Sequence, residues 1–346
     1  MKAVRLHQYQ ELPVVEEVDE PKITGPNDVI VKIGGAGLCR TDLHIIEGQW
    51  REKSGVTLPY ILGHENAGWV YEVGSAVENV SPGDTVIVHP LVTCGYCRAC
   101  RAGDDMHCVN SVFPGISTDG GFAGFLKTGA RAVIKLDPSL HPADIAALAD
   151  AGLTAYHAVK KAASSLYPGT RVVVIGAGGL GHIGIQSLKA LTPAEIIVVD
   201  RSEQALELAR DLGADHTVPV DGNQVTTVQE LTDGRGAEAV IDFVAEGGSF
   251  EYGIPMLQRA GNYYIVGYGS DLKIAAIDVI STEINFIGNL VGTYNDLAEL
   301  MTLTAQGKVT LHTTTYLLDA ALEAIDDLDQ GRLRGRGILI PDGATA

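Results

Sequence analysis

The sequence predicts an α/β protein in which a β-rich lobe precedes a doubly wound parallel sheet, and three observations carry that expectation. From Pro168 onward, short β-branched runs alternate with helical stretches, the pattern of strands joined by crossover helices. Before about residue 150, strand-like pieces are separated by Gly/Pro turns. Within the second region, "VVVIGAGGLGHIGIQ" sets a glycine-rich turn directly between a strand and a helix.

The strand-like pieces of the first region are "DVIVKIGG", "GWVYEVG", "DTVIVHP" and "RAVIKLDP". The second region opens with the strand "RVVVIG", a helix from about Leu180 to Leu191, the strand "EIIVVD" and the helix "EQALELARDLGA". The alternation continues through "AEAVIDF", "SFEYGIPMLQRA", "NYYIVG" and "EINFIGNL". The end of the chain, "LLDAALEAIDDLDQGRLRGRGILIP", offers an amphipathic helix and a strand that can return to either lobe.

At 346 residues and 46% hydrophobic composition, the chain is long enough for a substantial core and fits two domains better than one. The acidic start "MKAVRLHQYQELPVVEEVDEP" lacks a signal-peptide core, and no apolar run approaches the roughly 18 residues that span a bilayer. A cytoplasmic protein is expected. With 43 acidic against 25 basic side chains, a net charge of −18 and no Lys/Arg run, neither nucleic acid nor a membrane is an expected partner. A few cations and helix amides can still hold an anionic ligand locally.

Gly176, Gly178 and Gly181 keep the G-x-G-x-x-G spacing, which permits a tight turn, close backbone approach to a pyrophosphate and tight helix packing. The next strand ends at Asp200, whose carboxylate can accept bonds from ribose hydroxyls and repels a 2′-phosphate. NAD is therefore favoured. Arg201 follows immediately and can receive a 2′-phosphate, which leaves NADP open.

Four of the five cysteines, Cys94, Cys97, Cys100 and Cys108, fall in "TCGYCRACRAGDDMHC". Thiols of a cytosolic protein stay reduced, so a closed structural zinc site is the leading reading, with disulfide or redox use and an iron–sulfur cluster as alternatives. Arg98 and Arg101 lie in the loop where they can offset the excess negative charge of four thiolates on zinc. Cys39 stands apart in "GLCRTDLH", and "LGHENAG" supplies His64 and Glu65. Each alone is as well explained by core packing, but together they point to a catalytic metal, which needs three protein ligands and an open position.

The stretch "GHENAGWVYEVGSAV" resembles the signature of the zinc-containing medium-chain alcohol dehydrogenases. "CRTDLH", the four-cysteine loop, "GAGGLG" and "GRGILIP" follow in the family's order, and the similarity covers nearly the whole chain. The resemblance implies a GroES-like catalytic domain over 1–153, a Rossmann domain over 154–293 and a return segment over 294–346 that completes the first. It also implies two zinc ions per chain, the catalytic one held by Cys39, His64 and Asp150, with Glu65 as a transient ligand. Asp42 would accept a hydrogen bond from the second ring nitrogen of His64.

By the same resemblance, zinc activates the alcohol, hydride passes to the nicotinamide, and the proton leaves through Thr41 and the ribose to a water-facing His44. Arg40 and Arg336 become pyrophosphate contacts, although Arg336 in "RLRGRG" can also be a solvated charge. Thr154, Gly179, Leu180, Val266, Tyr268 and Leu290 fall around the cofactor. Trp50, Leu91, Phe113 and Leu290 fall in stretches that line the substrate pocket, each equally readable as core.

An apolar pocket implies an NAD-dependent enzyme acting on medium-sized hydrophobic alcohols, aldehydes or ketones. A polyol or threonine dehydrogenase is the alternative, and a non-catalytic dinucleotide-binding protein stands further off. Relatives imply a homotetramer or a homodimer.

Overall fold

The computed structural model describes residues 1–344, which divide into two compact units: Met1–Ala151 with Thr293–Ala305 and 311–344, and Gly152–Gly292 with Gln306–Thr310.

The first unit is built on a mixed seven-stranded sheet in the order Thr313–Leu317, Arg336–Ile340, Asp28–Leu38, Glu65–Val73, Thr85–Val88 and Val133–Lys135, with Phe125–Gly129 also paired to Asp28–Leu38. A second sheet is antiparallel and joins Val14–Glu17, Lys2–Leu6 and Tyr60–Ile61. The strand Asp28–Leu38 organises this unit because almost every residue in it is buried. Val29, Val31, Ile33 and Leu38 join Leu62, Phe122 and Leu126 in one core, each fully buried aliphatic side chain contributing about 1.5–3 kcal/mol. The pairing register of this strand shifts between Ile30 and Val31 and again between Ile33 and Gly35, bulges that re-aim its carboxyl end.

The second unit is a six-stranded, all-parallel sheet in the order His216–Pro219, Glu195–Asp200, Arg171–Ile175, Ala237–Asp242, Leu257–Ile265 and Asn285–Gly288. A parallel sheet buried on both faces needs continuous apolar strands, which is what "VVVI" and "IIVV" supply. Alternation then sorts them: Val172, Val174, Ile196 and Val198 pack on one face, while Val173, Ile175, Ile197 and Val199 pack on the other. The strand order reverses between Arg171–Ile175 and Ala237–Asp242, and ligands of such sheets bind at the carboxyl ends flanking that switch.

The helix following the glycine turn spans Gly181–Leu191, and the helix Glu203–Asp211 begins at Ser202, whose hydroxyl accepts from the Ala205 amide at 3.3 Å. The stretch "SFEYGIPMLQRA" departs from simple alternation. Its helix stops at Gly253, a single 3-10 turn carries Pro255, and the strand has already begun at Leu257. The terminal strand Arg336–Ile340 returns to the first unit, pairing antiparallel with Asp28–Leu38. Among the described residues, no helix is long and apolar enough to cross a membrane.

Candidate active site and metal centres

Three strands of the first unit deliver one cluster. Cys39 follows the strand Asp28–Leu38 directly and leads into the helix Arg40–Ile46. The register Gly37↔Glu65 brings Glu65 and the preceding His64 beside it, and Gly337↔Leu38 brings Arg336 to the same end. Asp150 arrives from the turn before the helix Ala151–Ala163. Donor atoms of Cys39, His64, Glu65 and Asp150 lie within 4.8 Å of one another.

The residues fit a metal ion on three counts. His64 Nε2 is 3.5 Å from Asp150 Oδ2, close to the roughly 3.3–3.8 Å separation of ligands about 2.0–2.3 Å from one tetrahedral ion. His64 Nε2, Asp150 Oδ1 and Glu65 Oε2 are buried without hydrogen-bond partners, although buried polar atoms are ordinarily satisfied. Burial disfavours a charged imidazole, yet Asp42, Asp150 and the Cys39 thiol hold His64 well above the ordinary histidine range. These surroundings are arranged around a positive charge, which a metal cation supplies.

Asp42 is fully buried and meets both Cys39 and His64. Its Oδ2 accepts the Cys39 amide at 2.8 Å, and its Oδ1 lies 3.3 Å from His64 Nδ1, a close approach without full hydrogen-bond alignment. The edge of Phe113 meets the His64 ring at 6.0 Å between centroids, so this pocket candidate is brought to the cluster. Behind it, Arg336 donates to Glu65 Oε1, which also accepts the Ala151 amide at 3.1 Å. Burial opposes the charged guanidinium, but Glu65 and Cys39 beside it keep Arg336 raised. Arg336 is thus a buried ion-pair partner and not the solvated charge that "RLRGRG" also allowed. Gly37 permits the pairing, because a Cβ there would overlap the Glu65 carboxylate.

His44 corrects an expectation. Only 7% of it is exposed, because the helix Arg40–Ile46 buries every residue from Asp42 to Ile46. Arg40 is exposed and Thr41 half-buried on the same short helix. Leu91 is buried, and Trp50 packs partly against the core of the first unit.

The sulfurs of Cys94, Cys97, Cys100 and Cys108 form the second cluster, with Cys97 and Cys100 Sγ 3.5 Å apart and no disulfide among the described residues. Backbone amides are aimed at the thiols. The Tyr96 amide leads in lowering Cys94 to about 6, whereas burial pushes Cys100 up to about 11. This donor set suits a closed zinc site. Arg101 is engaged with the Tyr96 carbonyl at 3.0 Å, whereas Arg131, unremarked in the sequence, lies against Gly95. A cavity of about 360 Å³ borders this loop, lined by Cys100, Asp105, Arg131 and Tyr294 among others, and none of the Cys39 cluster lines it.

In the second unit, Gly176 has φ +88° and a Cβ there would meet Val244 at 2.5 Å, while one at Gly181 would overlap the Gly176 carbonyl. Gly178 differs: a Cβ there meets nothing within 4 Å, an open cradle suited to close approach by a ligand. Asp200 Oδ2 accepts the Ala177 amide at 2.7 Å and Oδ1 the Ser202 amide at 2.8 Å, fixing the carboxylate beside the turn. Thr154, Gly179, Leu180 and Val266 are half-buried, and Tyr268 and Leu290 are exposed. Sequence reading missed Asp242, although "AEAVID" ends in an acid just as "EIIVVD" does.

Comparison with known proteins agrees with these features. The family described as "Alcohol dehydrogenase GroES-like domain" matches residues 25–138, and "Zinc-binding dehydrogenase" matches residues 179–306. An NAD-dependent alcohol dehydrogenase of Sulfurisphaera tokodaii is 38% identical, covering 99% of this chain and 100% of its own. A D-arabinose 1-dehydrogenase (NADP(+)) of Saccharolobus solfataricus is 37% identical over 98% of this chain and 97% of its own. The crystal structure of the alcohol dehydrogenase from Aeropyrum pernix superposes with a TM-score of 0.96 at 49% identity, covering 99% of this chain and 100% of that one. With a GroES-like domain, a Rossmann-type cofactor domain and both donor clusters in place, the chain belongs to the zinc-containing medium-chain alcohol dehydrogenase family.

Proposed function

We propose that this alcohol dehydrogenase transfers hydride reversibly between NAD and a medium-sized hydrophobic alcohol, primary or secondary. The observation that carries the reading is the set of buried Cys39 and His64 with the half-buried Asp150, whose donor atoms are uncommitted, in one chain with the open glycine turn at Gly178. When bound, zinc supplies Lewis acidity to the substrate oxygen and NAD accepts the hydride.

The chain's own residues do the rest. Cys39, His64 and Asp150 hold the catalytic metal, their one thiolate and one carboxylate balancing its charge, and the four cysteines hold the structural one. Asp42 orients His64 through Nδ1 and fixes Cys39 through its amide. Thr41 and His44 take the alcohol proton, and the burial of His44 makes it an internal relay whose final transfer to water needs a further group. Burial raises Glu65 above the ordinary carboxylate range and the Arg336 ion pair opposes that rise, while Glu65 Oε2, which has no hydrogen-bond partner, is the atom suited to approach the metal during exchange. Gly176, Gly178, Gly179, Gly181 and Asp200 seat the dinucleotide, and the exposed Arg40 is the cation suited to its pyrophosphate, since Arg336 is buried against Glu65.

Phe113 against His64 supports an apolar substrate wall, with Trp50 and Leu91 of the same unit as its other members. We infer a homo-oligomer, a tetramer or a dimer. The helix Ala276–Thr282 buries none of its side chains and exposes Ile277 and Ile280 shortly before the edge strand Asn285–Gly288. The cytoplasm suits five free cysteines.

The test follows absorbance at 340 nm with NAD and NADP against hexanol, benzyl alcohol, both 1-phenylethanol enantiomers, cyclohexanol, sorbitol and threonine. Turnover of the hydrophobic alcohols with NAD is expected. Turnover confined to sorbitol or threonine would overturn the pocket, and silence throughout would overturn catalysis.

A further inference from the structure

Asp242 ends the strand Ala237–Asp242 at the switch point, paired with Ile175, the residue before the glycine turn. It is fully buried, and four donors satisfy its carboxylate. The amides of Val244 and Ala245 reach Oδ1 at 2.9 Å each, while the Ser249 hydroxyl at 2.7 Å and the Tyr263 hydroxyl at 2.8 Å reach Oδ2. A buried acid bonded in this way fixes the start and the end of the segment 243–248. The Phe243 amide also donates to the Ile175 carbonyl at 3.0 Å, and Ser270 donates to Ala245 at 3.0 Å. This anchored loop presents the Gly247 carbonyl, which accepts Arg201 Nη2.

Arg201 is the one residue whose position beside Asp200 left NADP open. A guanidinium recognises a phosphate by aiming its fork of donors at it, and one already committed to a carbonyl on a fixed loop must first give up that bond. Resting on the dinucleotide reading above, we propose that the Gly247 carbonyl is a clasp that withholds Arg201 from a 2′-phosphate. NAD preference then depends on the 243–248 loop as well as on Asp200.

Gly247 itself provides the test. Its φ is +59°, and a Cβ there would occupy the place of the Arg201 guanidinium, the far end of a flexible side chain that can move away. Gly247→Ala should therefore displace Arg201, with some backbone strain because a side chain rarely adopts this left-handed conformation; the double variant carries the same strain and so separates it from the release of Arg201. Binding of NADH and NADPH is titrated by fluorescence in the wild type, Gly247→Ala, Arg201→Ala and the double variant. The wild type should prefer NADH, Arg201→Ala should change NADPH affinity less than about twofold, and Gly247→Ala should tighten NADPH relative to NADH by about fivefold or more. The double variant should lose that gain.

An unchanged ratio in Gly247→Ala, or a gain that persists without Arg201, would overturn the clasp. So would a large loss of NADPH affinity in Arg201→Ala alone, since it would mean that Arg201 already serves the phosphate. A wild type that prefers NADPH would instead overturn the NAD reading itself. Ser249→Ala and Tyr263→Phe loosen the anchor without touching Gly247 or Arg201. Each should shift the ratio in the same direction by a smaller factor, and a shift in the opposite direction would count against the anchored loop.

Discussion

The two donor clusters lie in the same unit and are built in opposite ways. The four cysteines come from one loop of sixteen positions, "TCGYCRACRAGDDMHC", and their sulfurs converge because turns and backbone amides inside that loop make them do so. Cys39, His64 and Asp150 come from three places far apart in the chain and converge only once the strand registers around Asp28–Leu38 are set. A local site stabilises its own lobe, whereas a dispersed site depends on the whole unit and can leave donor atoms uncommitted. Four thiols on one loop suit a closed structural position, whereas three dispersed donors leave the open coordination position that a catalytic metal needs.

The largest effect should come from breaking the dispersed cluster. Asp150→Ala is expected to lower turnover by about 10³-fold or more, since several kcal/mol of transition-state stabilisation go with the metal, while the four thiols stay unreactive toward a thiol reagent. Cys100→Ser should do the reverse, weakening the fold by several kcal/mol and lowering the thermal midpoint by roughly 5–15 °C in a melting scan. Turnover per folded chain at low temperature should persist.

Asp42→Ala leaves every metal donor in place but removes what orients two of them. A loss of about 10–100-fold in metal affinity or kcat is expected, read by competition with a zinc chelator. The smallest effect separates the glycines of the cofactor turn. Gly178→Ala should leave the melting midpoint unchanged while weakening NADH binding by about tenfold, because its added methyl meets only the ligand. Gly181→Ala should instead lower the midpoint, because its methyl overlaps the Gly176 carbonyl.

The same contrast explains what the sequence made legible. The parallel sheet was readable because its central strands are apolar on both faces and the helices Gly181–Leu191 and Glu203–Asp211 separate the first of them in a regular alternation. The four-cysteine loop was readable because its geometry is local. Arg336 was not placed, since only the register Gly337↔Leu38 shows that it pairs with Glu65 behind Cys39. The burial of His44 was equally hidden, because the seven residues of Arg40–Ile46 are too short a helix for periodicity to show which side faces solvent. Asp242 carried a signal in its strand-end position, but its four donors come from a loop, the start of a helix and a neighbouring strand that no local pattern connects.

The most direct test of the catalytic claim is a stepwise zinc removal, with zinc per chain, free thiols and NAD-dependent turnover followed on one sample. Two zinc ions per chain are expected at the start, with turnover falling in proportion to the first one lost and the thiols of Cys94, Cys97, Cys100 and Cys108 becoming reactive only with the second. Full turnover after the first zinc has gone, with those thiols still protected, would contradict the catalytic claim.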